Sequence, residues 1–222
     1  MSTFKVAIDG PAGAGKSSIA KAAASKKGFV YIDTGAMYRA IGLAALRSGI
    51  DPKNPADVVG ILDSVSIDIA HGETGQIIYL NGEDVSEDIR LPEVSVAASD
   101  VAVIAEVRAK LLELQRSLAK KTDVIMDGRD IGTFVLPNAD LKIFLTASVD
   151  ERAMRRYREL VQKGTECTLD DVKRDMEYRD KNDSQRAIAP LKAAEDSITV
   201  DTTGNTLDES VAAVLELIDK GR

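Results

Sequence analysis

The chain contains one cysteine, one histidine and no tryptophan among its 222 residues. A single thiol excludes an intramolecular disulfide and a cysteine-based zinc cluster, and the polar neighbours of Cys167 favour a bystander over a nucleophile. His71 is followed by Gly-Glu-Thr-Gly, so we expect it to be a turn residue. With one imidazole, a histidine-rich metal site is excluded as well.

Long apolar runs and an excess of positive charge are also missing. No stretch reaches the length of a membrane span, and the apolar run 4–8 is interrupted by Lys5 and is too short for the core of a signal peptide. The formal net charge of -7 disfavours binding to a nucleic-acid polymer, which needs a broad basic surface. We therefore expect a cytoplasmic protein that binds no membrane, and a monomer, because no long apolar stripe stands out.

Strand-like apolar runs alternate with helical periodicity along most of the chain. This alternation predicts an α/β fold with a three-layer core, in which a parallel sheet is flanked by crossover helices. The predicted strands of this sheet are residues 4–9, 29–33, 123–127, 141–146 and 198–201. The predicted helices are 16–24, a segment with Met37, Ile41 and Ala44 that stops at Gly49, a segment with Val103, Val107, Leu111, Leu114 and Leu118 on one face, 149–183, and 207–221.

Residues 65–85 have a different pattern. Residues 65–69 alternate between apolar and polar side chains, residues 76–80 are again strand-like, and Asn81-Gly82 is a strong signal for a tight hairpin turn. These features predict a small antiparallel β insert within the α/β domain, too small to fold by itself.

The turn between the first strand and the first helix carries the clearest chemical signal. It matches the pattern glycine, four residues, glycine, lysine, then serine or threonine, in the strand–turn–helix context that the pattern requires. Backbone N–H groups of such a P-loop surround the β- and γ-phosphates of a nucleotide, and the helix N-terminus adds partial positive charge. The alternative is an ordinary glycine-rich turn. The residues predicted to bind the nucleotide are Gly10, Pro11, Ala12, Gly13, Ala14, Gly15, Lys16, Ser17 and Ser18.

Four residues in two segments predict phosphoryl-transfer chemistry. We expect Lys16 to neutralise the transferring phosphoryl group and the Ser17 hydroxyl to ligate Mg²⁺. Asp127 ends an apolar strand, which is where P-loop enzymes keep the carboxylate that organises Mg²⁺, partly through water. Arg129 follows at the same strand end. A simple strand-terminating turn is the alternative interpretation of residues 127–129.

Residues 33–39 leave two interpretations open. Thr34 can cap the helix that follows, with Tyr38 and Arg39 on the helix surface. Alternatively, Arg39 can face an acceptor phosphate, because parallel sheets bind ligands at the rim where their strands end.

Arginines accumulate between residues 152 and 186. Arg155, Arg158 and Arg174 are expected on a solvated helix face, paired with nearby carboxylates. Transfer between two nucleotides must exclude water as an acceptor, and a mobile lid that carries arginines meets this need. Residues 163–181 have the polar composition of such a lid, with few large apolar anchors.

Several motifs, spread over almost the whole chain, resemble those of the bacterial cytidylate kinases. The matching residues are Ile8-Asp9-Gly10-Pro11 leading to Lys16, Asp33-Thr34-Gly35-Ala36-Met37-Tyr38-Arg39, Asp127-Gly128-Arg129-Asp130-Ile131-Gly132-Thr133, Arg179-Asp180, Asp183, Arg186 and Ala189-Pro190-Leu191. The β insert also looks like an insertion that these kinases carry in their acceptor-binding region.

The resemblance implies a single P-loop kinase domain over residues 1–222, which transfers the γ-phosphate of ATP, with Mg²⁺, to CMP or dCMP. The implied parts are a core (about 1–33, 102–150 and 186–222), an acceptor-binding region with the β insert (about 34–101) and a lid (about 151–185).

The resemblance also implies roles for individual residues. Ser99, Arg108 and Asp130 would contact the cytosine edge. Thr34, Arg39 and Arg129 would hold the acceptor, with Tyr38 beside them, and Arg179 and Asp183 would hold its sugar. Arg156 and Arg186 would approach the phosphates in the closed state, and Arg152 would lie near the ATP base. The implied catalytic set is Lys16, Arg129, Arg156 and Arg186. Asn182 departs from the pattern, because some family members have an arginine near this position.

The chemistry of cytosine supports the prediction that the acceptor is CMP or dCMP. Its exocyclic amine donates beside the N3 and O2 acceptors, so a carboxylate with an arginine forms a complementary edge. Uracil cannot donate from O4, and the wrong pairing leaves buried polar groups unsatisfied. We expect no protein general base, because the acceptor phosphate is already an anionic nucleophile.

Three alternatives stay open at this stage. A GTPase-like switch would use the same loop, although the chain has no Asn-Lys-x-Asp stretch for guanine and the arginine-rich lid would be unexplained. A kinase for UMP or for a non-nucleotide alcohol would differ in its acceptor alone. A binding module without catalysis is disfavoured because Lys16, Ser17 and Asp127 are all present.

Overall fold

The computed structural model describes residues 3–72 and 75–222. The strands are β1 (Lys5–Asp9), β2 (Val30–Asp33), β3 (Ile67–Gly72), β4 (Gly75–Leu80), β5 (Glu83–Asp84), β6 (Val124–Gly128), β7 (Leu141–Thr146) and β8 (Ile198–Asp201). The helices are α1 (Lys16–Lys27), α2 (Thr34–Arg47), α3 (Pro55–Ile61), α4 (Pro92–Val101), α5 (Ala105–Leu118), α6 (Val149–Gln162), α7 (Leu169–Gln185) and α8 (Leu207–Gly221). A π-helical turn covers Ile131–Val135.

β1 lies in the middle of a five-stranded parallel sheet with the order β2-β6-β1-β7-β8. The predicted parallel sheet with crossover helices is confirmed. Because all strands end at one edge, the loop after β1 lies beside the ends of β6 and β7. Asp33 is in register with Asp127, and Asp9 is in register with Gly128. The sheet therefore brings residues far apart in sequence to one edge.

The two faces of the sheet have separate hydrophobic cores, because side chains alternate along each strand. In β6, Val124 and Met126 join a core with α2 and α5, whereas Ile125 joins a core with α1 and α8. All of β6 is buried, which is typical of a central parallel strand covered on both faces.

β3, β4 and β5 form a separate antiparallel sheet, which confirms the predicted insert. Leu80 pairs with Glu83, so the turn consists of Asn81 and Gly82, as predicted. Ile78 is buried in the same core as α2, so the insert packs onto the main domain. His71 was predicted to be a turn residue, but it lies in β3, because the hairpin continues to Gly72 before it turns. Residues 73 and 74 lie outside the described residues.

Two helix predictions were wrong in detail. Val103 is 44% exposed and lies in the turn before α5, which begins at Ala105, so it does not belong to the apolar helix face. The arginine-rich stretch predicted as one helix is a hairpin of α6 and α7. The break occurs because Thr168 begins α7 with a capping box, in which its side chain and that of Asp171 bond each other's backbone N–H groups.

Helices α3 and α4 were not predicted, although each begins with a proline in its first turn. None of the helices within residues 3–72 and 75–222 combines the length and the apolar character that a membrane crossing requires.

Candidate active site

The P-loop connects β1 to α1 at the middle of the sheet edge. Gly10 has a φ of 149°, and a Cβ atom there would lie 1.9 Å from the carbonyl oxygen of Leu145 in β7. Only glycine lets the loop leave β1 so close to the neighbouring strand. The Lys16 ammonium donates a 2.7 Å hydrogen bond back to the Pro11 carbonyl, which holds the side chain along the loop.

Lys16 is buried, with 5% of its surface exposed. Burial lowers the pKa of Lys16 well below its ordinary value, and Arg129 adds to this effect, whereas Asp127 and Asp183 oppose it. Within the described part of the chain, its ammonium has no carboxylate within ion-pair distance. An ammonium group that is desolvated and has no carboxylate partner is well suited to bind an anionic phosphate.

Asp127 accepts hydrogen bonds from two hydroxyl groups. Ser17 donates to one carboxylate oxygen at 2.9 Å, and Tyr31 donates to the other at 2.9 Å. Burial raises the pKa of Asp127 to about 6, and the neighbouring Asp33 contributes to the rise. The structure therefore joins the predicted metal ligands Ser17 and Asp127, and it adds Tyr31, which sequence reasoning missed because nothing local marks it.

This pair of oxygen ligands fits Mg²⁺ in the presence of a nucleotide. Mg²⁺ prefers one or two carboxylate or hydroxyl oxygens, with phosphate oxygens and water completing six ligands. Among residues 3–72 and 75–222, no group of three or more histidine, cysteine, aspartate or glutamate side chains could hold a metal ion. Ser17 and Asp127 therefore suit a metal that arrives with the nucleotide.

A cavity of about 360 Å³ lies between the P-loop, α2, α4, the end of β6 and the two helices of the α6–α7 hairpin. Many basic side chains line it, although the chain as a whole is acidic. The predicted site residues that line it are Ala12, Gly13, Gly15, Lys16, Ser17, Ser18, Thr34, Tyr38, Arg39, Ser99, Asp127, Arg129, Asp130, Arg156, Arg179, Asp183 and Arg186. The structure thus brings most of them together around one space.

A buried ion-pair network forms one wall of the cavity. Asp130 pairs with Arg108 on one side and lies 3.1 Å from an Nη atom of Arg186 on the other. Arg186 is 4.0 Å from Asp183, which in turn accepts a 2.7 Å hydrogen bond from Arg129. Burial would raise the pKa of Asp183, but Arg129 and other arginines nearby lower it overall. These carboxylates therefore hold the arginines in place as charged groups.

Several polar atoms in this wall are buried but lack a partner within the described residues. They include Ser99 Oγ, Arg39 Nε and Arg179 Nε, all from side chains that line the cavity. Leaving buried donors and acceptors unsatisfied is unfavourable by roughly 1–3 kcal/mol for each group. The cavity is therefore suited to a ligand rich in polar and anionic groups. Arg108, which was predicted to contact the base, is not among the residues that line the cavity, and it donates to Asp130 and to the Ala102 carbonyl.

The start of α2 decides between the two interpretations of residues 33–39 in part. Asp33, and not Thr34, caps the helix, because its side chain accepts a 2.9 Å bond from the Ala36 N–H. The Thr34 hydroxyl donates to the Asp127 carbonyl at 2.8 Å. Arg39 lines the cavity and pairs with Asp33 at 2.7 Å, so it is not a solvated surface residue.

Tyr38 lines the cavity. Burial raises the pKa of Tyr38 to about 12, so its phenol stays protonated. The Arg108 guanidinium lies 5.8 Å from the centre of its ring and 5.5 Å from that of Phe134. Both rings therefore lie within cation–π distance of the guanidinium that pairs with Asp130.

Arg152 and Arg156 occupy different positions on α6. Arg156 lines the cavity and pairs with Glu159 at 2.8 Å. Arg152 lies behind the P-loop, where it donates to the Ala12 carbonyl at 2.9 Å and pairs with Asp180 at 2.8 Å. It therefore joins both helices of the hairpin to the loop.

Two expectations about this hairpin were confirmed only in part. Arg155 pairs with Glu151 at 2.9 Å, as predicted, but it is not a solvated surface residue. It also donates to the Thr202 carbonyl at 2.6 Å and to the Thr202 hydroxyl at 3.0 Å, which ties α6 to the loop after β8. Residues 163–181 were expected to have few large apolar anchors, and two residues of this segment, Val172 and Met176, are buried with Leu160 of α6 and Ala12 of the P-loop. Helical spacing brings these anchors onto one face, which composition alone does not reveal.

Asp9 is a second site residue that sequence reasoning missed. Its carboxylate accepts 2.7 Å hydrogen bonds from the N–H groups of Ile131 and Gly132, immediately after Asp130. Asp9 follows the apolar residues of β1, a position where a buried carboxylate could have been suspected. It fixes the backbone that aims Asp130.

The chain matches the family model described as "Cytidylate kinase" over residues 6–220. A cytidylate kinase of Caldicellulosiruptor bescii is 52% identical over 220 residues, covering 99% of this chain and 97% of the relative. A cytidylate kinase of Lactobacillus johnsonii is 50% identical over 217 residues, covering 98% of this chain and 94% of that relative. A crystal structure of an uncharacterized protein from Eubacterium ventriosum superposes with a TM-score of 0.54 at 14% identity, covering 98% of this chain and 99% of that one, and shares the fold alone. Taken with the site geometry, these matches show that the chain belongs to the cytidylate kinase family.

Proposed function

We propose that this chain transfers the γ-phosphate of ATP to CMP or dCMP, giving ADP and CDP or dCDP. The observation that carries the proposal is that Lys16 of the P-loop and the Asp130 network line one cavity. One space thus holds both a triphosphate site and a base-reading carboxylate. Two relatives that are named cytidylate kinases match nearly the full chain at 52% and 50% sequence identity.

The P-loop supplies the donor site. Residues 10–18 would hold the phosphates of ATP through backbone N–H groups, and Lys16 would contact the transferring group. Ser17 and Asp127 would hold Mg²⁺, which neutralises charge on the β- and γ-phosphates when it is bound. Arg152 would support the ATP side from behind the loop, where it holds the Ala12 carbonyl.

The Asp130 network supplies selectivity for the base. Asp130 would accept a hydrogen bond from the exocyclic amine of cytosine, and the ion pair with Arg108 orients that carboxylate. The unpaired Ser99 hydroxyl would complete the polar edge. Uracil presents an oxygen where cytosine presents the amine. This oxygen would face the Asp130 carboxylate, and two acceptors cannot form a hydrogen bond.

Arginines from separate elements would hold the remaining groups. Arg39 and Arg129, with Thr34 and Tyr38 nearby, would bind the acceptor phosphate, and Arg179 and Asp183 would bind the sugar. Arg156 and Arg186 would approach the phosphates between which transfer occurs. The acceptor phosphate is already an anion, so alignment and charge neutralisation account for the reaction without a protein base.

The division into core, acceptor-binding region (about 34–101) and lid (about 151–185) stays a prediction. We propose that the α6–α7 hairpin acts as the lid, because it covers the cavity and carries Arg156 and Arg179. We also propose that the enzyme acts as a cytoplasmic monomer, where ATP and nucleoside monophosphates are available. Its exposed large apolar side chains are scattered over different elements, which supports the monomer.

A coupled assay for ADP tests the proposal. Purified protein with ATP and Mg²⁺ is offered CMP, dCMP, UMP, AMP and GMP in turn, and a reaction without acceptor measures hydrolysis. We expect rapid transfer to CMP and dCMP and little reaction with the others. Hydrolysis of ATP that no monophosphate stimulates would support the switch alternative and contradict the kinase.

A further inference from the structure

Side chains of the β insert cover the open edge of the central sheet. β2 is an edge strand, and its partner on the other side is β6. Gln76 of β4 accepts a 2.9 Å hydrogen bond from the Asp33 N–H and donates a 3.1 Å bond to the Asp33 carbonyl. One primary amide thus pairs with both backbone groups of one residue, as a neighbouring strand would do.

A second contact lies directly beside this one. His71 is the cross-strand partner of Gln76 in the β3–β4 hairpin. Its Nε2 atom lies 3.0 Å from the carbonyl oxygen of Tyr31, two residues before Asp33 on the same edge. Both contacts attach the insert to β2, but they end on different residues of that strand.

Asp33 is the residue through which this attachment reaches the cavity. It is buried, with 4% of its surface exposed, and one carboxylate oxygen begins α2 by accepting the Ala36 N–H. The other oxygen accepts from Arg39 at 2.7 Å and lies 3.4 Å from a guanidinium nitrogen of Arg90. Asp33, Arg39 and Arg90 all line the cavity. The position of the Asp33 backbone therefore determines where both guanidiniums stand.

We propose that Gln76 is a positioning residue for the acceptor phosphate: it holds the Asp33 backbone, and Asp33 holds Arg39 and Arg90. The inference rests on the proposed function, because it concerns the acceptor of that reaction. The β insert thereby has a mechanical role in binding the acceptor, through the end of β2.

The chemistry of the amide explains why this position needs glutamine. The Asp33 N–H and carbonyl point away from β6 at the sheet edge, so without Gln76 both groups lose their protein partner. A carboxylate at position 76 could accept from the N–H but could not donate to the carbonyl, and it would add negative charge beside Asp33. Small displacements of positioning groups can weaken a reaction strongly.

Steady-state kinetics of Gln76→Ala, Gln76→Glu and the matched control His71→Ala test the inference. We expect both Gln76 variants to raise the KM for CMP by about tenfold, equivalent to losing roughly one or two buried hydrogen bonds. The KM for ATP and the kcat should stay within about twofold of wild type. His71→Ala removes a contact of the same hairpin but leaves Asp33 held, so its KM for CMP should be that of wild type.

A double-mutant cycle separates positioning from general loosening of the insert. If Gln76 acts through the Asp33–Arg39 pair, adding Gln76→Ala to Arg39→Ala should raise the KM for CMP little further. Full additivity, an equal effect of His71→Ala, or a parallel rise in the KM for ATP would each overturn the inference. Thermal unfolding of every variant shows whether it is folded. If Gln76→Ala is not folded, the isosteric Gln76→Glu variant is used for the test. A wild-type enzyme inactive on CMP would instead contradict the proposed function.

Discussion

Tyr178 of helix α7 donates a 2.5 Å hydrogen bond to Asp100 of helix α4. The amide of Asn182, one turn further along α7, lies 3.3 Å from the same carboxylate oxygen. Asp100 is buried, with 6% of its surface exposed. Asp100 of α4 thus contacts two side chains of the proposed lid.

Removing the Tyr178 hydroxyl should weaken closure of the proposed lid. We expect Tyr178→Phe to lower kcat/KM for CMP by about fivefold, the effect of roughly 1 kcal/mol lost from the closed arrangement. The matched control is Tyr157→Phe on α6, whose ring packs beside the buried core of the hairpin. If stopped-flow or steady-state assays gave both variants the wild-type kcat/KM, the Tyr178–Asp100 contact would have no part in closure.

Asp130 should decide the choice of base. We expect Asp130→Ala and the gentler Asp130→Asn to lower the ratio of kcat/KM for CMP over UMP by at least about tenfold, because the acceptor for the cytosine amine is lost or weakened. The alanine variant also leaves Arg108 without its carboxylate and Arg186 with only the 4.0 Å contact to Asp183, which should destabilise the fold by about 3–5 kcal/mol. Equal slowing of every acceptor by the asparagine variant would contradict a role in reading the base.

Lys16 should be required whatever the acceptor. We expect Lys16→Ala to reduce transfer to CMP, dCMP and UMP alike by at least about 10³-fold, because the charge on the transferring group is no longer neutralised. The variant should stay folded, since a buried cation is removed and no ion pair is broken. Lys26→Ala, an exposed lysine in the last turn of α1, is the control and should keep full activity. Selective loss for one acceptor would place Lys16 on the acceptor side.

Gly10 should tolerate no side chain. A methyl group there would meet the Leu145 carbonyl at 1.9 Å, at a φ that L residues rarely adopt. We expect Gly10→Ala to destabilise the protein by more than about 3 kcal/mol and to abolish ATP binding, measured by urea unfolding and calorimetry. Gly28, which ends α1 with a φ of 68°, has open space around it, so Gly28→Ala should be unfavourable by only about 1 kcal/mol. Similar losses for both variants would contradict the steric explanation.

Asp9 should leave a signature in the pH dependence of stability. Burial raises the pKa of Asp9 from its ordinary 3.8 to about 6, even though the Gly132 and Ile131 N–H groups favour the charged form. A carboxyl with a raised pKa binds its proton more tightly when folded. Its stabilising contribution is therefore fully present below about pH 4 and is lost as the pH rises to about 6, by roughly 3 kcal/mol for a shift of this size.

The Asp9→Asn variant isolates this contribution. The free energy of unfolding of wild type minus that of the variant should decrease between pH 4 and 6.5 and stay level from pH 7 to 8.5. Urea denaturation at each pH measures both values. A difference that rises with pH, or does not change between pH 4 and 6.5, would show that the pKa of Asp9 is not raised in the folded protein.

Much of the site was predictable where the functional residues lie close together in the sequence. The P-loop needs glycines, Lys16 and Ser17 at fixed spacing between a strand and a helix, and all of these are local properties. Asp127 was predictable because it ends an apolar strand. The Asn81-Gly82 turn was predictable because few residue pairs suit a two-residue hairpin.

Other features depended on partners that no local pattern reveals. Arg155 looks like a surface arginine until β8 places the Thr202 carbonyl within its reach. Gln76 and His71 are ordinary strand residues until the insert folds against β2.

The sequence by itself determined the parallel α/β class, the antiparallel insert, the nucleotide loop and most residues around the cavity, because periodicity, turn chemistry and motif spacing act over a few neighbouring residues. Only the tertiary structure decided which carboxylate holds which arginine: Asp130 with Arg108 and Arg186, Asp183 with Arg129, and Asp33 with Arg39. The reason is physical. Buried charges need a partner within a few ångströms, and packing of the sheet edge, the insert and the α6–α7 hairpin chooses that partner among many oppositely charged residues in the chain.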